Sequence, residues 1–252
     1  KAYTPLYDDV PEKVQKRIIK DMDKAPYPEK VVMPYIETVQ DRIMLEVYRG
    51  CIRGCRFCQA GMIYRPVRER NMDHLMEMAE KLVASTGYDE ISLMSLSISD
   101  YTEISHLTDE LLEWTDEKKI NLALPSLRAD SFSRELMDKI SGVRTSTLTF
   151  APEAGTQRLR DVSNKNLREE DLLEACKLAF AAGYNGVKLY FMIGLPTETD
   201  EDVLGIADLA RKVRACYFSV PKEKRAPGLR ITVSASVFVP KNYTPFQWCA
   251  QL

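Results

Sequence analysis

The stretch Ile43-Met-Leu-Glu-Val47-Tyr-Arg-Gly-Cys51-Ile-Arg-Gly-Cys55-Arg-Phe-Cys58 runs an apolar, strand-like segment into a loop of three thiols spaced C-x3-C-x2-C. A strand ending in such a loop presents sulfur ligands at the rim of a parallel sheet. Three thiolates are one short of the four that close a structural zinc site or saturate an iron–sulfur cluster. One metal position is left for another group. A distant side chain would complete a zinc site; an exogenous ligand would complete a cluster.

Outward from that stretch, apolar β-branched segments alternate with amphipathic helices. Strands are expected at 43–47, 91–97, 120–124, 145–150, 187–193 and 231–239, and helices at 71–86, 102–118, 132–140, 168–182 and 200–216. Asn71 is placed to cap the first helix, and Gly87 lies just past its end. Strands separated by helices pair in parallel with right-handed crossovers. The expected fold class is therefore α/β, a partial (β/α)6 barrel left open, with its chemistry at the C-terminal ends of the strands. Residues 1–40 stand outside this rhythm, punctuated by Pro5, Pro11, Pro26, Pro28 and Pro34. They are expected to form an N-terminal linker and helical extension. Its one amphipathic helix would lie between Pro11 and Pro26, with Val14, Ile18, Ile19 and Met22 on the buried side. The barrel would occupy 41–252.

Composition bounds the function. A hydrophobic share of 45% and a charged share of 29% suit a globular domain. The net charge of −2 argues against a chain-wide polyanion-binding surface. No segment reads as a signal peptide or membrane span, so a cytoplasmic location and no membrane association are expected. A start at Lys1 rather than Met reads as a piece of a longer protein. Of the six cysteines, Cys176, Cys216 and Cys249 are scattered and three are clustered. That pattern speaks for metal binding in a reducing compartment.

Cys51-x3-Cys55-x2-Cys58, with aromatic Phe57 before the last cysteine, resembles the signature of the radical S-adenosylmethionine (radical SAM) superfamily. The resemblance implies a [4Fe–4S] cluster held by Cys51, Cys55 and Cys58, with S-adenosylmethionine on the free iron. The reduced cluster would cleave that molecule to methionine and a 5′-deoxyadenosyl radical. The resemblance also assigns the strand ends to cofactor binding. Ser95 and Ser97 fall where the cofactor's amino group is met, without the commoner Gly-Gly-Glu form. Ser126 and Arg128 fall near its ribose and carboxylate, Glu153 against the ribose, and Arg158 within reach of the carboxylate. Ile193 in Ile-Gly-Leu-Pro196 falls beside the adenine, as does Val239 at the end of the sixth strand; Tyr190 is placed by strand alternation, toward the barrel interior, where cofactor or substrate would be met.

The tail Pro240-x4-Pro245-Phe-Gln-Trp248 resembles the uncharacterised bacterial radical-SAM group that carries a cobalamin-binding-type domain upstream. The cobalt-ligating pattern Asp-x-His-x2-Gly is missing, since Asp73 and His74 are adjacent. Any cobalamin would therefore come from a domain outside this chain. Arg49, Arg53, Arg56, Arg65, Arg68 and Arg70, opposed in sequence only by Glu69, form a basic patch suited to an acidic electron donor of flavodoxin or ferredoxin type. Substrate phosphates would use the same field, which leaves nucleic-acid binding open. No general base or radical relay is nominated, although Tyr101, Tyr190 and Cys249 are placed to be considered. The reading from another class is a non-catalytic module stabilised by zinc or a structural cluster.

Overall fold

The computed structural model describes residues 4–36, 38–123, 128–129 and 147–251. All six expected strands are present, in two parallel three-stranded arcs. In the first, β1 (Ile43–Glu46) pairs with a strand at Glu90–Met94, which pairs in turn with one at Asn121–Ala123. In the second, Leu148–Glu153, Gly186–Ile193 and Arg230–Val237 follow in order. Between the first two strands of the first arc lies an antiparallel ribbon, β2 (Tyr48–Arg49) with β3 (Arg68–Glu69). The remaining strands are therefore β4 to β8. The architecture is an open, partial β/α barrel.

Helices α1 (Ala60–Ile63), α2 (Met72–Thr86), α3 (Ile104–Lys118), α4 (Gln157–Val162), α5 (Glu169–Ala181) and α6 (Asp200–Ser219) connect the strands. The expected helix at 132–140 lies outside the described residues. Asn71 caps α2 by accepting from the Asp73 amide at 2.9 Å, and Gly87 closes it in the left-handed region at φ +72°. Each arc buries its own core. Leu45, Ile91 and Leu93 pack with Leu75, Ala79, Leu107 and Leu111. Val187, Leu189 and Phe191 pack with Cys176, Phe180, Val213 and Tyr217. A third cluster, Ala154, Leu159, Leu195, Phe238 and Phe246, lies near the thiol loop and takes in Phe57 at its edge.

Two expectations need correction. Residues 11–26 contain no helix. Met22 is buried, but Val14, Ile18 and Ile19 are exposed, so the apolar stripe has no face to bury. Without tertiary packing, a short helix between two prolines does not repay its nucleation cost. Strand β6 also runs three residues further than expected, to Glu153. Its register with β7 shifts between Phe150 and Glu153, where Pro152 has no N–H to offer the ladder. Glu153 follows in the left-handed region at φ +70°.

Candidate functional site

The thiol loop follows β2 and is fastened to the opposite arc. The Arg56 amide donates to Ser163 O at 2.9 Å, and the Arg56 guanidinium to Val162 O at 2.6 Å. Asn164 Nδ2 donates to Gly54 O at 2.9 Å. A Cβ on Gly54 would lie 3.0 Å from that same Nδ2, so glycine here makes room for Asn164. Arg53 Nε donates to Asp100 at 2.9 Å and tethers the loop to the 3-10 turn after β4. Burial raises the Asp100 carboxyl, and the Arg53 guanidinium bonded to it works the other way, leaving the group below its ordinary value. The Gly61 amide, in the first turn of α1, donates to Cys58 Sγ at 3.3 Å. An N–H on sulfur stabilises the thiolate form.

Cys51, Cys55 and Cys58 open into one cavity of about 290 Å³, where Phe57, Ser97, Arg128 and Glu153 also stand. The structure thus brings together seven of the thirteen expected site residues. Ser126 lies outside the described residues. Ser95 faces a neighbouring cavity instead. Tyr190, Ile193 and Val239 do not line the thiol cavity; Tyr190, within β7, and Val239, two residues past the end of β8, are exposed. Arg158, expected at the cofactor carboxylate, is engaged elsewhere. Its guanidinium donates to Thr197 O at 2.8 Å and pairs with Asp202, a carboxylate 2% exposed at the start of α6. Of the other residues considered, Tyr101 is buried and donates to Arg70 O at 2.9 Å, and Cys249 packs on the third apolar cluster.

Two charged residues of the cavity were not among the expected site residues: Arg53, with Asp100 paired to it, and above all Lys165. Lys165 Nζ lies 3.1 Å from Glu153 Oε1 and 6.0 Å from the Phe57 ring centroid. Arg128 Nη2 donates to Lys165 O at 3.2 Å. Lys165 sits in a turn between Asn164 and Asn166, both in the left-handed region at φ +52° and +50°. Asparagine tolerates that region better than other non-glycine residues. Two such residues flanking a lysine just past a strand–helix unit are a faint signal for this turn. Burial pushes the Cys55 thiol up, while Lys165 and Arg128 pull it back. The same two cations would offset the negative charge of thiolates bound to iron.

These residues fit a cluster. The three thiols surround one cavity, and cations face them.

The model of the radical SAM superfamily matches residues 45–210. The chain belongs to the radical SAM superfamily. An uncharacterised protein of Methanocaldococcus jannaschii is 37% identical over 248 residues, covering 95% of this chain and 52% of that protein. A tRNA-2-methylthio-N(6)-dimethylallyladenosine synthase of Thermotoga petrophila is 22% identical over 192 residues, covering 72% of this chain and 43% of that enzyme. The chain spans about half the length of these relatives. Among solved structures, the radical S-adenosylmethionine methyltransferase TsrM of Kitasatospora setae, with cobalamin and a [4Fe–4S] cluster bound, matches with a TM-score of 0.59 and 14% identity. The match covers 82% of this chain and 38% of that one, and it is a likeness of fold. Radical SAM enzymes use a [4Fe–4S] cluster and S-adenosylmethionine. Among the described residues, no helix is long and apolar enough to cross a membrane.

The arginine patch of this radical SAM core is narrower than its sequence implies. Arg49 is paired with Glu46 at 2.6 Å, Arg53 with Asp100, and Arg70 is buried against Glu46 and two backbone carbonyls. Arg56, Arg65 and Arg68 have no carboxylate partner among the described residues, so an acidic donor would have fewer charges to meet.

Proposed function

We propose that this chain is the catalytic core of a radical SAM enzyme, with Cys51, Cys55 and Cys58 holding a [4Fe–4S] cluster at the mouth of the barrel. When bound and reduced, that cluster would supply the electron that cleaves S-adenosylmethionine to methionine and a 5′-deoxyadenosyl radical. The observation that carries the reading is the single cavity shared by the three thiols, Ser97, Arg128, Glu153 and Lys165.

The chain's own residues divide the work. The thiolates hold iron, and the Gly61 amide and nearby cations lower the cost of their negative charge. Arg128 and Lys165 present positive charge to a carboxylate, while Glu153, turned inward by its left-handed backbone, offers acceptor oxygens to hydroxyls. The buried Arg160 donates to Ala154 O at 2.9 Å and fixes the turn carrying Glu153. Phe57 and Phe150 keep water from one side of the cavity. For the transfer that follows, methyl transfer, methylthio transfer and other radical modification are the candidates, and the Thermotoga relative's name favours methylthio chemistry. Any cobalamin would come from a domain outside these residues.

The test is anaerobic reconstitution with iron and sulfide, then reduction in the presence of S-adenosylmethionine. The expected product is 5′-deoxyadenosine, lost when any one of Cys51, Cys55 or Cys58 is changed to alanine. Formation of that product at an undiminished rate in Cys55→Ala would contradict the assignment.

A further inference from the structure

Beside the thiol loop lies a second cavity of about 610 Å³, separated from the first by Leu96, which lines both. Its size lies within the range of about 300–1,000 Å³ typical of small-molecule sites. Four cations face it, Lys16, Arg17, Arg49 and Arg68, against one carboxylate, Glu46. Glu46 is already taken up by Arg49, at 2.6 and 2.8 Å, and by Arg70 at 3.9 Å.

Of the other three cations, Arg68 and Lys16 rest on neutral groups. Arg68 donates to Pro66 O at 2.9 Å, Tyr64 O at 3.0 Å and Ile19 O at 3.2 Å. Lys16 donates to Ile63 O and to Arg65 O at 3.4 Å, and its ammonium lies 5.7 Å from the Tyr64 ring centroid. Arg17 has no ion pair among the described residues. A carbonyl fixes a cation in place without cancelling its charge. Lys16 and Arg68 are thus held in place for an anion, and Arg17 lines the same concavity with a third charge of that sign. The guanidinium of Arg68 still has two of its five N–H donors to give.

The rest of the wall is apolar and open. Ile19, Met94, Leu96 and Tyr64 are 37%, 41%, 44% and 47% exposed, together on one cavity face. Such a face beside unspent positive charge asks for a ligand that is itself two-sided.

We propose that this second cavity binds a phosphate-bearing organic molecule. Its phosphate would lie among Lys16, Arg17 and Arg68, and its planar or apolar body against Tyr64 and Leu96. Phosphate fits better than a single carboxylate, because near neutral pH a monoester carries about −1.5 to −2 charge and three acceptor oxygens. The site goes beyond the proposed function, since no step of S-adenosylmethionine cleavage uses it. The phosphate could come from a small ester or from a polynucleotide backbone, and both present the same chemistry here.

The test is calorimetric titration of the cluster-loaded protein, with S-adenosylmethionine saturating so that the first cavity is filled. The probes are adenosine 5′-monophosphate, adenosine, a short oligoribonucleotide and a polyglutamate peptide. The monophosphate is expected to bind at least tenfold more tightly than adenosine. In the double variant Lys16→Gln/Arg17→Gln its affinity should fall at least tenfold, with S-adenosylmethionine cleavage unchanged. In Lys165→Met it should not change. That last arm separates this site from the first cavity, so failure of either assignment is read independently. An oligoribonucleotide that binds far more tightly than the monophosphate identifies a polymeric source, and equal affinities identify a small ester. The proposal is overturned if neither phosphate probe binds, if the double variant binds them as well as the parent, or if polyglutamate outcompetes both.

Discussion

At the wall of the thiol cavity, the Lys165 ammonium is bonded to Glu153 and stands over the face of the Phe57 ring, 6.0 Å from its centroid. That position gives it a larger share of cofactor recognition than its place in the sequence implies. Replacing it by methionine is expected to weaken S-adenosylmethionine binding by about tenfold, the worth of one charge-assisted contact, and to leave iron content unchanged. Equilibrium dialysis with labelled cofactor, beside an iron assay, reads both quantities. A second residue gives a pH signature. Burial alone would raise the Asp202 carboxyl; hydrogen bonds from Thr156, Arg158 and the Thr199 amide reverse that and hold it at about 2. Unfolded, the same group titrates near 3.9, as aspartates ordinarily do. Its stabilisation is therefore complete above about pH 4 and lost as pH falls through about 2, on the order of 2 kcal/mol in all. Urea unfolding across that window should show this decline in the parent and not in Asp202→Asn. At this scale the three cysteines were legible because their spacing is the chemistry. Lys165 and Asp202 were not, because their partners lie in other elements and no spacing rule points to them.

Helix α6 shows how an element is set by what it must approach. Thr199 caps it, with its amide bonded to Asp202 Oδ2 at 2.9 Å, and Gly155 lies against its first turns. A Cβ on Gly155 would fall 2.3 Å from Ile206 N and 2.4 Å from Asp202 O, both backbone atoms. Gly155→Ala must therefore push the helix away from the turn that carries Glu153. A stability loss of about 3 kcal/mol is expected in thermal or urea unfolding, along with weaker cofactor binding. An unchanged midpoint would contradict this packing. The existence of the strands and of four long helices was readable from period and caps. The β2–β3 ribbon, α1 and α4 were missed because they span two to six residues, too few for a period to declare itself. The stretch at 11–26 failed in the other direction. Its apolar spacing is helical, but only Met22 of the four apolar positions finds a burial site.

For the whole molecule, two parallel arcs bring their strand ends around one rim, and the thiol loop of the first arc is bonded to the Val162–Asn164 turn of the second. The site is therefore a property of the barrel and not of the loop alone. Repetition of strand and helix made that architecture legible. The way Arg128 and Lys165 converge on the thiols depends on how the arcs face each other, which no local pattern encodes. The central claim is that three thiolates hold a cluster whose fourth iron is open to S-adenosylmethionine. Electron paramagnetic resonance of the anaerobically reconstituted, reduced protein tests it most directly, recorded with and without S-adenosylmethionine. The prediction is a [4Fe–4S]⁺ signal whose g-values shift when S-adenosylmethionine is added. A protein that takes up zinc in place of iron, or a cluster signal indifferent to S-adenosylmethionine, would contradict it.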